Sequence, residues 1–69
     1  MAFKLTPLGE NRARKIDRSI NAESAVITFM YETKDPVEVE EVAGETRMTE
    51  ESSEKVLNRL ISAGYVKEH

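Results

Sequence analysis

Arg14, Lys15 and Arg18 form the densest basic group in the chain, with Arg12 at its edge and Lys4 upstream. At helical spacing Arg14, Lys15 and Arg18 fall on one face, together with Asn11. Guanidinium and ammonium groups so arranged can grip a phosphate backbone without reading its sequence. The same face would serve equally as a solvated helix back, or as a surface for an acidic partner subunit or protein. A second group lies later: Lys55, Asn58 and Arg59, with Arg47 before them. Their side chains suit base-edge or phosphate contacts. Glu50, Glu51 and Glu54 lie close by and oppose an anionic ligand. They also have a local use: acids in a first helical turn complement the dipole, and Glu51 and Glu54 can pair with Lys55 and Arg59.

Other chemistries find little here. The one histidine, His69, is terminal, which leaves no base for nucleophilic catalysis and no metal cluster. The chain has no cysteine, so neither a disulfide framework nor thiolate ligation arises. There is no phosphate-binding glycine loop. The carboxylates fall on helix exteriors, away from any expected cleft. The sequence therefore reads as non-enzymatic, with no cofactor and no metal. Tyr31 and Tyr65 could stack on bases, but they read better as partial core at element ends.

Sixty-nine residues allow one domain and one small core. The net charge of −3 is unevenly spread. Residues 1–20 carry five basic side chains against two acidic ones, a formal +3. Residues 21–69 carry five against eleven, a formal −6. The split implies two electrically distinct surfaces. No apolar run reaches membrane-spanning length and no signal peptide is visible, so a cytoplasmic domain with no membrane association is expected.

Hydrophobic periodicity supplies the elements. Phe3-Lys4-Leu5 alternates as a short strand, and Thr6-Pro7 opens a helix with Thr6 as cap. Gly9, Ala13, Ile16 and Ile20 share a face, which predicts a helix over 7–19 with a basic back. Asn21 caps a second helix over 22–33, whose Ala22, Ala25, Val26, Phe29 and Met30 face the core. Asp35-Pro36 stops it. Asp35 and Glu38 either form a capping box for the third helix, or Val37 is extended and the helix starts at Glu38. That helix covers 38–46 and buries Val39, Val42 and Ala43. Gly44 inside it costs about 1 kcal/mol relative to alanine, and would permit close approach of another helix. Thr49 caps a fourth helix over 50–63, with Val56, Leu57, Leu60, Ile61 and Ala63 on one arc. Gly64 ends it, and 65–67 is a second strand. The expected core includes Ile16, Val26, Phe29, Met30, Val42, Leu57, Leu60 and Ile61, with Met48 inside the turn. The predicted class is mostly α with a small β ribbon: four helices and two short strands, in one domain over 1–69. Residues 1–20 form a strand plus basic helix, and residues 22–67 a helix-turn-helix core and strand.

The stretch Val37-Glu38-Val39-Glu40-Glu41-Val42-Ala43, the turn into Met48-Thr49-Glu50-Glu51, and Val56 through Val66 resemble winged helix-turn-helix domains of bacterial and archaeal regulators. The likeness spans residues 22–67, and is most specific over Leu57-Asn58-Arg59-Leu60-Ile61-Ser62-Ala63-Gly64-Tyr65-Val66. In that family this piece is the recognition helix running into the first wing strand. Phe3-Lys4-Leu5-Thr6-Pro7-Leu8-Gly9 is similar to the second wing strand and the helix start that follow the core. Here it comes first. The resemblance thus implies a permuted wing, with the N-terminal strand beside the C-terminal one and no hairpin tip between them. Three positions depart from the family. The chain ends at His69, without the loop that often probes the minor groove. Arg47 stands where many members carry glycine. Ser53 replaces an apolar residue, which predicts loose packing at the start of the fourth helix.

Two functions follow. One is a small transcription-related DNA-binding protein that takes double-stranded DNA through Lys4, Arg12, Arg14, Lys15, Arg18, Arg47, Lys55, Asn58 and Arg59, acting as a homodimer because one small module binds weakly. The other is a winged-helix module that docks a protein partner on its acidic face, with no direct DNA contact. Fold alone does not choose between them.

Overall fold

Residues 1–17 and 19–69 are described by the computed structural model. Along them run β1 (Ala2–Leu5), α1 (Pro7–Ala13), α2 (Ala22–Thr33), β2 (Val37–Glu38), α3 (Val39–Thr46), α4 (Glu50–Ser62) and β3 (Val66–Glu68). The architecture is mostly helical, with four helices and a three-stranded antiparallel sheet among the described residues. The sheet order is β2-β1-β3. The sequence predicts two strands. The third, β2, forms because Val37 pairs with Phe3 and buries its side chain completely. Two residues are too short a run for alternation to reveal.

β1 and β3 do lie side by side, as the wing-like N-terminal segment implies. Phe3 opposes Glu68, Lys4 opposes Lys67 and Leu5 opposes Val66. Period-two alternation puts Phe3, Leu5 and Val66 in the core and leaves Lys4 and Lys67 exposed. Beyond the ladder, the Thr6 N–H donates to the Tyr65 carbonyl at 3.0 Å, and the Thr6 hydroxyl donates to the Gly64 carbonyl at 2.6 Å. Thr6 also accepts from the Gly9 N–H at 3.1 Å, which caps α1. One residue therefore starts the helix and ties it to the far end of the chain. Gly9 faces the Tyr65 carbonyl so closely that any Cβ there would collide with it.

α1 ends at Ala13, six residues before the predicted Ser19. Arg14 and Lys15 lie in the turn beyond it, not on a helix face. A local competitor accounts for the stop. The Asp17 carboxylate accepts from the Ser19 N–H at 2.9 Å and the Ser19 hydroxyl at 2.8 Å, a turn incompatible with continued helix. Ile20, expected on the buried face, is 65% exposed as a result. Ile16 is only partly buried against the core. Arg18 falls outside the described residues.

The remaining helices follow their caps. Asn21 accepts from Ser24 N–H at 2.8 Å and Thr49 from Ser52 N–H at 3.0 Å. α2 closes at Lys34, in a left-handed conformation with φ of 67°. At α3 the second of the two starts is realised in substance: Val37 is extended and Glu38 is the cap residue, with the Glu41 carboxylate accepting from the Glu38 N–H at 3.1 Å. The Asp35 box is not formed. Gly44 admits no close neighbour, since a Cβ there would meet nothing within 4 Å. α4 ends at Ser62, Ala63 is exposed rather than buried, and Gly64 takes φ of 86° as a helix-ending glycine should.

The core joins all these elements. Val26, Val37, Val42 and Leu57 are fully buried, with Ile27, Met30, Leu60 and Val66 nearly so. Phe29 and Ile61, expected inside, are partly buried at its margin, as are Met48, Tyr31 and Tyr65. Ser53 is completely buried, and its hydroxyl has no hydrogen-bond partner among the described residues. A hydroxyl so placed costs about 1–3 kcal/mol relative to a satisfied one.

Candidate nucleic-acid interface

The two basic groups are built on different supports. The first rests on the end of α1 and on β1. Arg12 is in the last turn of α1, where a cation complements the helix dipole. Arg14 is the residue after the helix, and its Nε–H donates to the Tyr31 hydroxyl of α2 at 3.3 Å. That contact with Tyr31 is the main cause holding the Arg14 guanidinium above its ordinary pKa. It ties an exposed side chain to α2. Lys15 is exposed in the same turn. Lys4 projects from β1 toward a shallow groove of about 360 Å³, shared with Arg14 and Lys34. Two of the sequence-predicted groups, Lys4 and Arg14, thus line one groove between β1 and the end of α1, and Arg12 is not part of it.

The second group rests on α4. Lys55, Asn58 and Arg59 are exposed, as an outward arc requires. Lys55 Nζ lies 3.7 Å from Glu51 one turn back. Arg59 reaches across to Glu23 of α2 at 3.6 Å, instead of pairing with Glu54 along its own helix. Both pairs are solvent-exposed, the kind worth about 0–1 kcal/mol, so either cation can leave its carboxylate for a phosphate. The Asn58 side chain makes no hydrogen bond with another described residue and offers a free amide.

Arg47 sits at the α3–α4 turn in a left-handed conformation, φ 58° and ψ 38°. Its N–H and that of Met48 both donate to the Ala43 carbonyl, which closes α3. The backbone geometry here is the one that favours glycine. Arg47 shares a second groove of about 230 Å³ with Glu32 and Glu45.

Two cations escaped the sequence reading. Lys67 stands directly opposite Lys4 on the exposed face of the sheet. Like charges in that position repel, and an anion placed over them relieves the repulsion. The signal was available, since pairing Phe3-Lys4-Leu5 against Tyr65-Val66-Lys67 in alternating register puts both lysines outward. Lys34 joins the groove through its left-handed cap, which no local pattern announces.

Among the described residues no group of three or more histidines and carboxylates is placed to hold a metal ion. Among them, too, no helix is long and apolar enough to cross a membrane. No protein-family model matches the chain, and neither a curated protein nor a solved structure shows significant similarity to it.

Proposed function

We propose that the chain is a small DNA-binding, transcription-related protein with a winged helix-turn-helix fold whose second wing strand has moved to the N-terminus. The observation that carries this reading is connectivity. β2 leads into α3, a short turn joins α3 to α4, α4 runs into β3, and β1 lies between β2 and β3. Joining β3 to β1 by a hairpin would yield the uninterrupted order of such a domain. In this reading α4 enters the major groove with Asn58 and Arg59 toward base edges and Lys55 and Arg47 toward phosphates. Lys4, Arg12, Arg14 and Lys15 hold the backbone, joined by Arg18 on sequence grounds. A homodimer doubles the contact area, which one module of this size needs.

A second reading has its own support. The N-terminal turn of α4 carries exposed Glu50 and Glu51, Glu54 follows, and the two cations of the helix already face carboxylates. An acidic docking face for a protein partner fits that arrangement. Variant titrations separate the two. If DNA is the ligand, replacing Arg14 and Lys15 by alanine weakens binding to every duplex and lowers the salt slope by about 2. Replacing Asn58 changes preference among sequences instead. Equal salt slopes for the wild type and the double variant would remove the basic turn from the interface.

A further inference from the structure

The groove between β1, the end of α1 and the end of α2 has a composition that phosphate contact does not require. Its floor includes Leu5 and Met30, both core residues. Its walls carry Lys4, Arg14 and Lys34 against Glu10 and Asp35, an excess of one positive charge. Tyr31 adds a phenol, whose oxygen is occupied by the Arg14 Nε–H. The terminal nitrogens of Arg14 feel the Glu10 carboxylate but make no hydrogen bond or close ion pair with other described residues, and neither do the side-chain ammonium groups of Lys4 and Lys34. The volume of about 360 Å³ is at the small end of ligand sites, which run from about 300 to 1,000 Å³.

We infer that this groove is a binding site for a small monocarboxylate with a short apolar body. The carboxylate would take the planar fork of Arg14, assisted by Lys4 or Lys34, because guanidinium and carboxylate match in a two-point contact. Leu5 and Met30 are only 7% and 3% exposed, so the apolar body would lie mainly along the aliphatic stems of Lys4 and Lys34. One net positive charge suits a monoanion. A dianion such as inorganic phosphate would meet Glu10 and Asp35 with a charge left over and would leave those stems uncovered. The inference does not depend on DNA binding, and its assay contains no nucleic acid.

The probe is hexanoate, titrated into the intact chain and followed by amide and methyl NMR shifts, with inorganic phosphate as the comparison anion. Saturable shifts confined to Lys4, Leu5, Arg14, Met30, Tyr31 and Lys34, with a Kd of about 1–5 mM, are expected for an eight-heavy-atom ligand. Arg14→Ala should weaken hexanoate about tenfold, as loss of a charge-assisted hydrogen bond does. Tyr31→Phe, which keeps the ring and frees the guanidinium, should weaken it less. A Ser62→Ala control, at an exposed position outside the groove, should bind as the wild type. Phosphate should bind at least about tenfold more weakly than hexanoate. Equal affinity for the two anions, shifts spread over the surface, or undiminished binding by a folded Arg14→Ala variant would each overturn the assignment.

Discussion

The two ends of this molecule meet in one sheet, yet they are specified in different ways. In the C-terminal part, α3, the turn and α4 follow apolar spacing and caps almost residue for residue: Glu38 and Thr49 open the helices, Arg47 and Gly64 close them. In the N-terminal part a convincing helical stripe, Gly9, Ala13, Ile16 and Ile20, is honoured only for its first half. The difference teaches that periodicity sets where a helix can be buried, whereas side-chain to backbone competition sets where it stops. Asp17 and Ser19 supply that competition, and Ile20 beyond them is exposed.

Paired truncations sharpen the contrast. Leu60 is 3% exposed in α4, so Leu60→Ala should cost about 2–5 kcal/mol in denaturant unfolding. Ile16, expected from spacing to be equally buried, is at the margin of the core, so Ile16→Ala should cost about 1 kcal/mol. Equal losses would mean that the N-terminal stripe is buried after all and that α1 runs further.

Next in size is the joint between the two parts. Gly9→Ala would drive a methyl group into the Tyr65 carbonyl and the Leu5 side chain, with an expected loss of about 1–3 kcal/mol. A neutral result would show that α1 does not lie against the start of β3. Smaller still are two helix-end effects of stabilising sign. Arg47→Gly relieves a left-handed residue and should add about 0.5–1 kcal/mol. Gly44→Ala, on an exposed helix position with open space around it, should add about 0.4–1 kcal/mol. A loss at residue 44 would instead reveal a close neighbour there. Thermal melts of the two variants suffice.

Much of the fold was legible in the residues. Caps at Thr6, Asn21 and Thr49, the stop at Asp35-Pro36 and the apolar arc of α4 place the helices, and the resemblance read at residues 3–9 places β1 beside β3. What escaped has local causes. β2 is two residues long and exists through its partner strand, so no window on its own sequence shows it. Ser53 is buried by the packing of α4 even though its hydroxyl stays unpaired, a tertiary effect that overrides its polarity. At the candidate interface, exposure of Lys55, Asn58 and Arg59 was readable from the helical wheel. The pairing of Arg59 with Glu23 was not, because it joins two helices. The grouping of Lys4 and Arg14 with Lys34 depends on a left-handed cap and on the Tyr31 contact, which only the folded chain brings together.

The most direct test of DNA recognition is a fluorescence-anisotropy titration of the intact chain into mixed-sequence duplex at roughly 50 and 200 mM salt. Seven phosphate contacts, from Lys4, Arg12, Arg14, Lys15, Arg18, Arg47 and Lys55, predict binding tighter than about 10⁻⁴ M at the higher salt. They also predict a gain of roughly 10³–10⁴-fold at the lower salt. Absence of binding at both salts would contradict DNA recognition and leave the acidic start of α4 as the surface that meets a partner.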